Sequence, residues 1–101
     1  MERDNHSGRV IERAVKDISS IISRYRTGDL GFEKMVGDIE VQINSMIGFV
    51  DPAWLEEWRS HWNRLEYVNA SMIDDDRSNL GSDEKEMVED SLDALENMTR
   101  P

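Results

Sequence analysis

The chain predicts an all-α fold, a four-helix antiparallel bundle forming a single domain over residues 1–101. Three observations predict it. Apolar residues recur at three- and four-residue spacing in four separate stretches, short connections rich in turn residues join those stretches, and no stretch shows the two-residue alternation of a strand. A chain of 101 residues is long enough to bury a modest core without a metal or disulfides.

The first helix is expected over about residues 8–26, with Ser7 as its cap and Met1–His6 as a polar lead outside it. Ile11, Ala14, Val15, Ile18, Ile21, Ile22 and Tyr25 form one buried face, and Glu12, Arg13, Lys16, Ser20 and Ser23 take the other. Thr27-Gly28-Asp29 stops it, with Gly28 suited to the left-handed position that ends a helix. The second helix, about 31–47, turns Phe32, Met35, Val36, Ile39, Ile43, Met46 and Ile47 inward and ends at Gly48. Its back carries Gly37, Val41 and Asn44, where charge would be ordinary. Gly37 there marks either close approach of another backbone or a tolerated weakness in the helix.

The third helix, about 52–74, holds all three tryptophans. Asp51 supplies the capping carboxylate, and Pro52 at the first helical position needs no N–H donor. Trp54, Leu55, Trp58, Trp62, Leu65, Met72 and Ile73 fall within about 60° of one line, with Val68 at its edge and the amide of Asn69 along it. Glu56, Ser60, Asn63, Tyr67, Ser71 and Asp74 occupy the opposite face, which sets one aromatic ring away from the core. After a loop beginning at Asp74, Ser82 is expected to cap a last helix of about 83–98 that buries Met87, Val88, Leu92, Leu95 and Met98.

The absence of cysteine excludes thiol chemistry and disulfides and fits a reducing cytoplasm. No long apolar run is present, and MERDNHSG has neither a basic nor an apolar leader region, so a cytoplasmic protein without a membrane span is expected. The net charge of −10 disfavours nucleic acid and anionic membranes and favours a basic protein partner. The charge is uneven: six bases face four acids over residues 1–26, whereas two bases face seven acids over 78–101.

Little in the chain points to catalysis. Its two histidines are His6, in the polar lead, and His61, four residues after Glu57 on the edge of the tryptophan stripe, where an ion-paired helix-edge histidine is the ordinary reading. No phosphate-binding glycine loop, HExxH, GxSxG or zinc-ligand spacing occurs, so neither an enzyme nor a cofactor is expected. An EF-hand is excluded too: a loop begun at Asp74 places Asn79 where glycine must bend the chain and Lys85 where a bidentate glutamate must ligate. The stronger signal is the last helix, whose outward half carries Glu86, Glu89, Asp90, Asp93 and Glu96 with no intervening base. Like charges at these spacings cost about 0.2–0.5 kcal/mol per pair, so the arrangement reads either as a solubilising face or as a surface for a basic partner. The candidate partner-binding residues are therefore Glu56, Tyr67, Asp74, Asp75, Asp76, Glu86, Glu89, Asp90 and Asp93.

The segments SRYRTGDLGFEKMVGDIE and DPAWLEEWRSHWNRLEYVNASMIDD, followed by SDEKEMVEDSLDALENM, resemble the small acidic helical immunity proteins of bacterial toxin loci. The resemblance lies in a helix opening after a tight turn at Phe32, a Trp-rich helix with Trp58, Trp62, Leu65, Glu66 and Tyr67, and a short leucine-spaced helix. It implies a non-catalytic inhibitor that binds one cognate toxin domain, such as a basic nuclease. Two alternatives stand beside it: a nucleic-acid-mimicking inhibitor or adaptor, and a self-associating module using the Gly37/Val41 patch or the Tyr67 face. The expected state is a monomer or weak homodimer.

Overall fold

The computed structural model describes residues 2–100, with side chains from Gly8 onward. Four helices, α1 (Glu2–Arg26), α2 (Phe32–Ser45), α3 (Pro52–Asp74) and α4 (Ser82–Thr99), form an antiparallel bundle, and no strand occurs among the described residues. Each helix packs on its neighbours in sequence, and α4 closes the ring against α1.

Each helix ends for a local reason. After α1, Gly28 takes φ +87°, the Gly28 N–H donates to the Tyr25 carbonyl and the Asp29 N–H donates to that of Arg24. This left-handed cap satisfies carbonyls that the helix leaves open. The end of α3 repeats it with an aspartate in the glycine position: Asp76 takes φ 54°, donates to the Ile73 carbonyl, and is followed by Arg77 donating to Met72. Asp51 caps α3 as expected, its Oδ1 accepting from the Ala53 N–H at 2.9 Å.

Several boundaries differ from the sequence expectation. The backbone of α1 is already helical at Glu2, so Ser7 lies within the helix and does not cap it; the side chains of residues 1–7, His6 among them, lie outside the described residues. α2 stops at Ser45, and Ile47 falls in the turn that Gly48 bends at φ +86°, where it is exposed instead of buried. The cap of α4 is Gly81 and not Ser82. Glycine has no capping side chain, but Glu84 reaches back to accept the Gly81 N–H at 2.8 Å while pairing with both terminal nitrogens of Arg77 at 2.6 and 2.8 Å. The charged pair thus ties the α3–α4 loop to the first turn of α4.

The core consists of Ala14, Ile18, Ile21 and Ile22 from α1, the Met35/Val36/Ile39/Ile43 face of α2 with Met46 beyond its end, Trp58, Leu65, Val68 and Met72 from α3, and Val88, Leu92 and Leu95 from α4. Trp58 is 0 % exposed and meets Trp54 edge-on, with ring centroids 5.5 Å apart. Trp62 is only partly buried, because its indole spans the α2–α3 seam and donates to the Val36 carbonyl at 2.9 Å. Asn69 is buried, as its place on the stripe implied.

The helices are staggered. At 1.5 Å per residue, the 25-residue α1 is about 37 Å long and the 14-residue α2 about 21 Å, whereas the molecule extends 50 Å. Arg26 at the C-terminal end of α1 meets Glu89, Asp93 and Glu96 from the middle of α4 onward, so α1 stops well short of the start of α4. The last turns of α3 and the first of α4 project past α1 and α2 as a two-helix hairpin. This accounts for Ile73, which shares the flank of Trp62 yet is 58 % exposed: α2 begins one turn beyond Val36, while Ile73 lies three turns beyond Trp62. Met87, also expected inside, is exposed at the outer α3–α4 seam.

Truncating Trp58 to alanine is expected to cost about 3–5 kcal/mol of unfolding free energy, measured by urea denaturation. The pairing with Arg77, and then the bond from the Gly81 N–H, hold the Glu84 carboxyl down to about 2 from its ordinary 4.5. Because the folded value is depressed, its contribution is fully present above about pH 4.5 and fades as pH falls through about 2. Glu84→Gln should therefore lower stability at pH 7 and narrow its gap to wild type across that window in acid denaturation curves.

Candidate functional site: the outward ridge of the third helix

Because α3 turns its tryptophan stripe inward, its opposite face is necessarily a ridge on the surface. Glu56, Asn63, Tyr67 and Asp74 lie along this ridge, all exposed, with Tyr67 at 68 %. A shallow cleft flanks the ridge on each side. Toward α4, Arg64 of α3 faces Asp83, Glu86, Met87 and Asp90. Toward α2, Glu40, Ile43 and Asn44 face Glu56, Arg59, Trp62 and Asn63. Arg64, which lines the cleft with Glu86 and Asp90, stands one helical turn from Tyr67 on the ridge of α3.

The acids chosen from the sequence divide into two groups. Glu89 and Asp93, with Glu96, form a flank of α4 that turns to α1, where Arg26 spans them: its guanidinium contacts Glu89 and Asp93 at 2.8 Å each and also Glu96. The reading of α4 as an acidic face without a base is corrected accordingly, because its base comes from another helix. Partial burial opposes the charge on Arg26, but the hydrogen bonds it donates to the three carboxylates outweigh that and raise its pKa further. Nearby, burial and then the Glu89 charge push the Tyr25 hydroxyl upward, as its ring packs against Phe32 at 5.9 Å. Asp75 pairs with the Arg77 Nε at 3.3 Å. Glu56, Asp74, Asp76, Glu86 and Asp90 form the second group, exposed and without an ion pair among the described residues.

Sequence reasoning missed Arg26, Arg64 and the α2-side cleft. A signal for the first was present: Asp83, Glu86 and Asp90 share one helical flank and Glu89, Asp93 and Glu96 the next, so a base on a neighbouring helix can meet one set and not the other. His61 is partly buried with its Nδ1 sealed from solvent and unpartnered, and no ion pair joins it to Glu57 among the described residues. Among the described residues no group of three or more histidine, cysteine, aspartate or glutamate side chains is placed to hold a metal ion, and no helix is long and apolar enough to cross a membrane.

No family model matches the chain, and neither a curated protein nor a solved structure matches it.

Replacing Arg26 with glutamine leaves three carboxylates facing one another. The expected loss is about 1 kcal/mol, the upper end for exposed ion pairs. Added salt should recover part of it by screening the repulsion, so denaturation midpoints of variant and wild type should converge between low and high salt.

Proposed function

We propose that this protein is a non-catalytic inhibitor of the immunity type, which binds a basic toxin domain through the α3–α4 face. The observation that carries the reading is Tyr67, an exposed aromatic ring on a ridge bordered by unneutralised carboxylates. A tyrosine offers large contact area with a polar tip at small entropic cost, and such residues carry much of the energy of interfaces. The surrounding acids steer a basic partner and set the association rate more than the affinity. Glu86 and Asp90 line a cleft with Arg64, which stands one helical turn from Tyr67. The resemblance to immunity proteins supplies the class of partner, and the lack of a nucleophile, base and metal constellation in the sequence agrees with inhibition by binding.

A nucleic-acid mimic would use the same acids but gives Tyr67 no role. Self-association is favoured by one observation: Val41 is 61 % exposed opposite the buried face of α2, beside Gly37, whose missing side chain would meet open space and no backbone of this chain. A mass measurement in solution across a concentration series tests it, a constant monomer mass removing that reading.

The primary test asks whether a gene adjoining that of this protein encodes a basic toxin domain and co-expresses the two. Rescue of growth and a purified complex are expected. Tyr67→Ala should weaken the complex by about 2 kcal/mol or more through faster dissociation, whereas Glu86→Lys/Asp90→Lys should mainly slow association and flatten its salt dependence. Absence of both rescue and complex would overturn the reading.

A further inference from the structure

We infer that the cleft between α2 and α3 is a receptor for one basic side chain, lysine or arginine, of the protein's partner. The inference deepens the binding role proposed above and rests on it for the identity of the donor. The cleft measures about 220 Å³. This lies below the roughly 300–1,000 Å³ of sites that enclose a small molecule, and suits a single side chain entering from solvent. Its apolar part is Trp62 and Ile43, a surface for an aliphatic stem, with an indole that can also attract the cation at the stem's end. The Trp62 ring is already fixed, because its N–H is bonded to the Val36 carbonyl, so little order is lost when the cleft fills.

The polar part has the matching sign. Glu40 of α2 and Glu56 of α3 approach from opposite walls, and both are exposed without an ion pair among the described residues. The one cation of the lining, Arg59, does not neutralise them: its terminal nitrogen donates to the Asn44 amide oxygen at 3.1 Å, and its Nε is sealed in the wall. Two other arginines do sit on acids, Arg26 on three and Arg77 on two. Here an arginine stands beside two carboxylates and bonds a neutral amide instead. The lining therefore retains one net negative charge inside a molecule of net −10, and the Asn63 amide adds a further acceptor for an N–H donor. Asn63 and Glu56 also lie on the Tyr67 ridge, so a partner covering Tyr67 reaches the cleft with the same surface.

The test uses the intact free protein. N-acetyl-arginine methylamide, N-acetyl-lysine methylamide and the neutral N-acetyl-glutamine methylamide are titrated at matched ionic strength while the three indole N–H resonances are followed by NMR. The Trp62 resonance should shift saturably with both cations and not with the glutamine derivative, while that of buried Trp58 stays in place. In Glu40→Gln/Glu56→Gln, two substitutions at exposed positions that leave the fold intact, binding should weaken about fivefold or more, the scale of an exposed ion pair. No saturable Trp62 shift with either cation, an equal shift with the glutamine derivative, or unchanged binding in the double variant would overturn the inference. These outcomes are independent of toxin rescue: rescue without a Trp62 shift removes the cleft and keeps the inhibitor, and a shift without rescue does the reverse.

Discussion

A helix of 14 residues packed between neighbours of 25 and 23 cannot cover either along its length, and this mismatch governs the bundle. Where all four helices overlap, Trp58, Leu65, Ile18 and Leu92 are sealed completely. Beyond the start of α2, a residue on the flank of α3 that faces α2 finds nothing to bury it, although Met72 beside it is still buried. Ile73 is the clearest case. The tryptophan-bearing helix therefore stays a core pillar through Leu65, Val68 and Met72, while its flank toward α2 is left open at Ile73.

The acids are organised by the same arrangement. Because α1 ends halfway along α4, its terminal Arg26 meets the middle and end of that helix, not its beginning. One of the two acidic stripes of α4 is thereby turned into an inter-helix clasp, and the other stays outward beside Arg64 and Met87. Acidity as such then says little about a surface. What distinguishes the outward stripe is that its carboxylates form no ion pair among the described residues, together with a large aromatic ring on the adjoining helix.

Much of the fold was legible because it is set locally. The buried faces, the Asp51-Pro52 start of α3 and the Gly28 stop all follow from periodicity and backbone sterics within a few residues. The errors lie where a distant element decides. Ile73 has the spacing of a core residue, and only the relative height of α2 leaves it exposed. Glu89 and Asp93 look identical to Glu86 and Asp90 until Arg26 is placed. The α2-side cleft draws Glu40 and Asn44 from one helix and Glu56 and Arg59 from the next, and no spacing within either helix brings them together. The run Asp74-Asp75-Asp76 suggested an acidic loop, whereas two of its members have structural duties: Asp76 fills the left-handed capping position, and Asp75 braces Arg77.

The Arg26 clasp also bears on the order in which the chain assembles. Three of the four helix seams join neighbours in sequence and close over connections of a few residues, so their entropic cost is small and they form early. The seam between α1 and α4 is the narrowest and the only one that must bring the two ends of the chain together. It is fastened at Arg26 by charge as well as by apolar contact, and ion pairing of this kind acts over longer range and tolerates looser geometry than packing. Closing the ring thus carries the largest loop-closure cost of the four seams, and that cost falls on the joint fastened at Arg26.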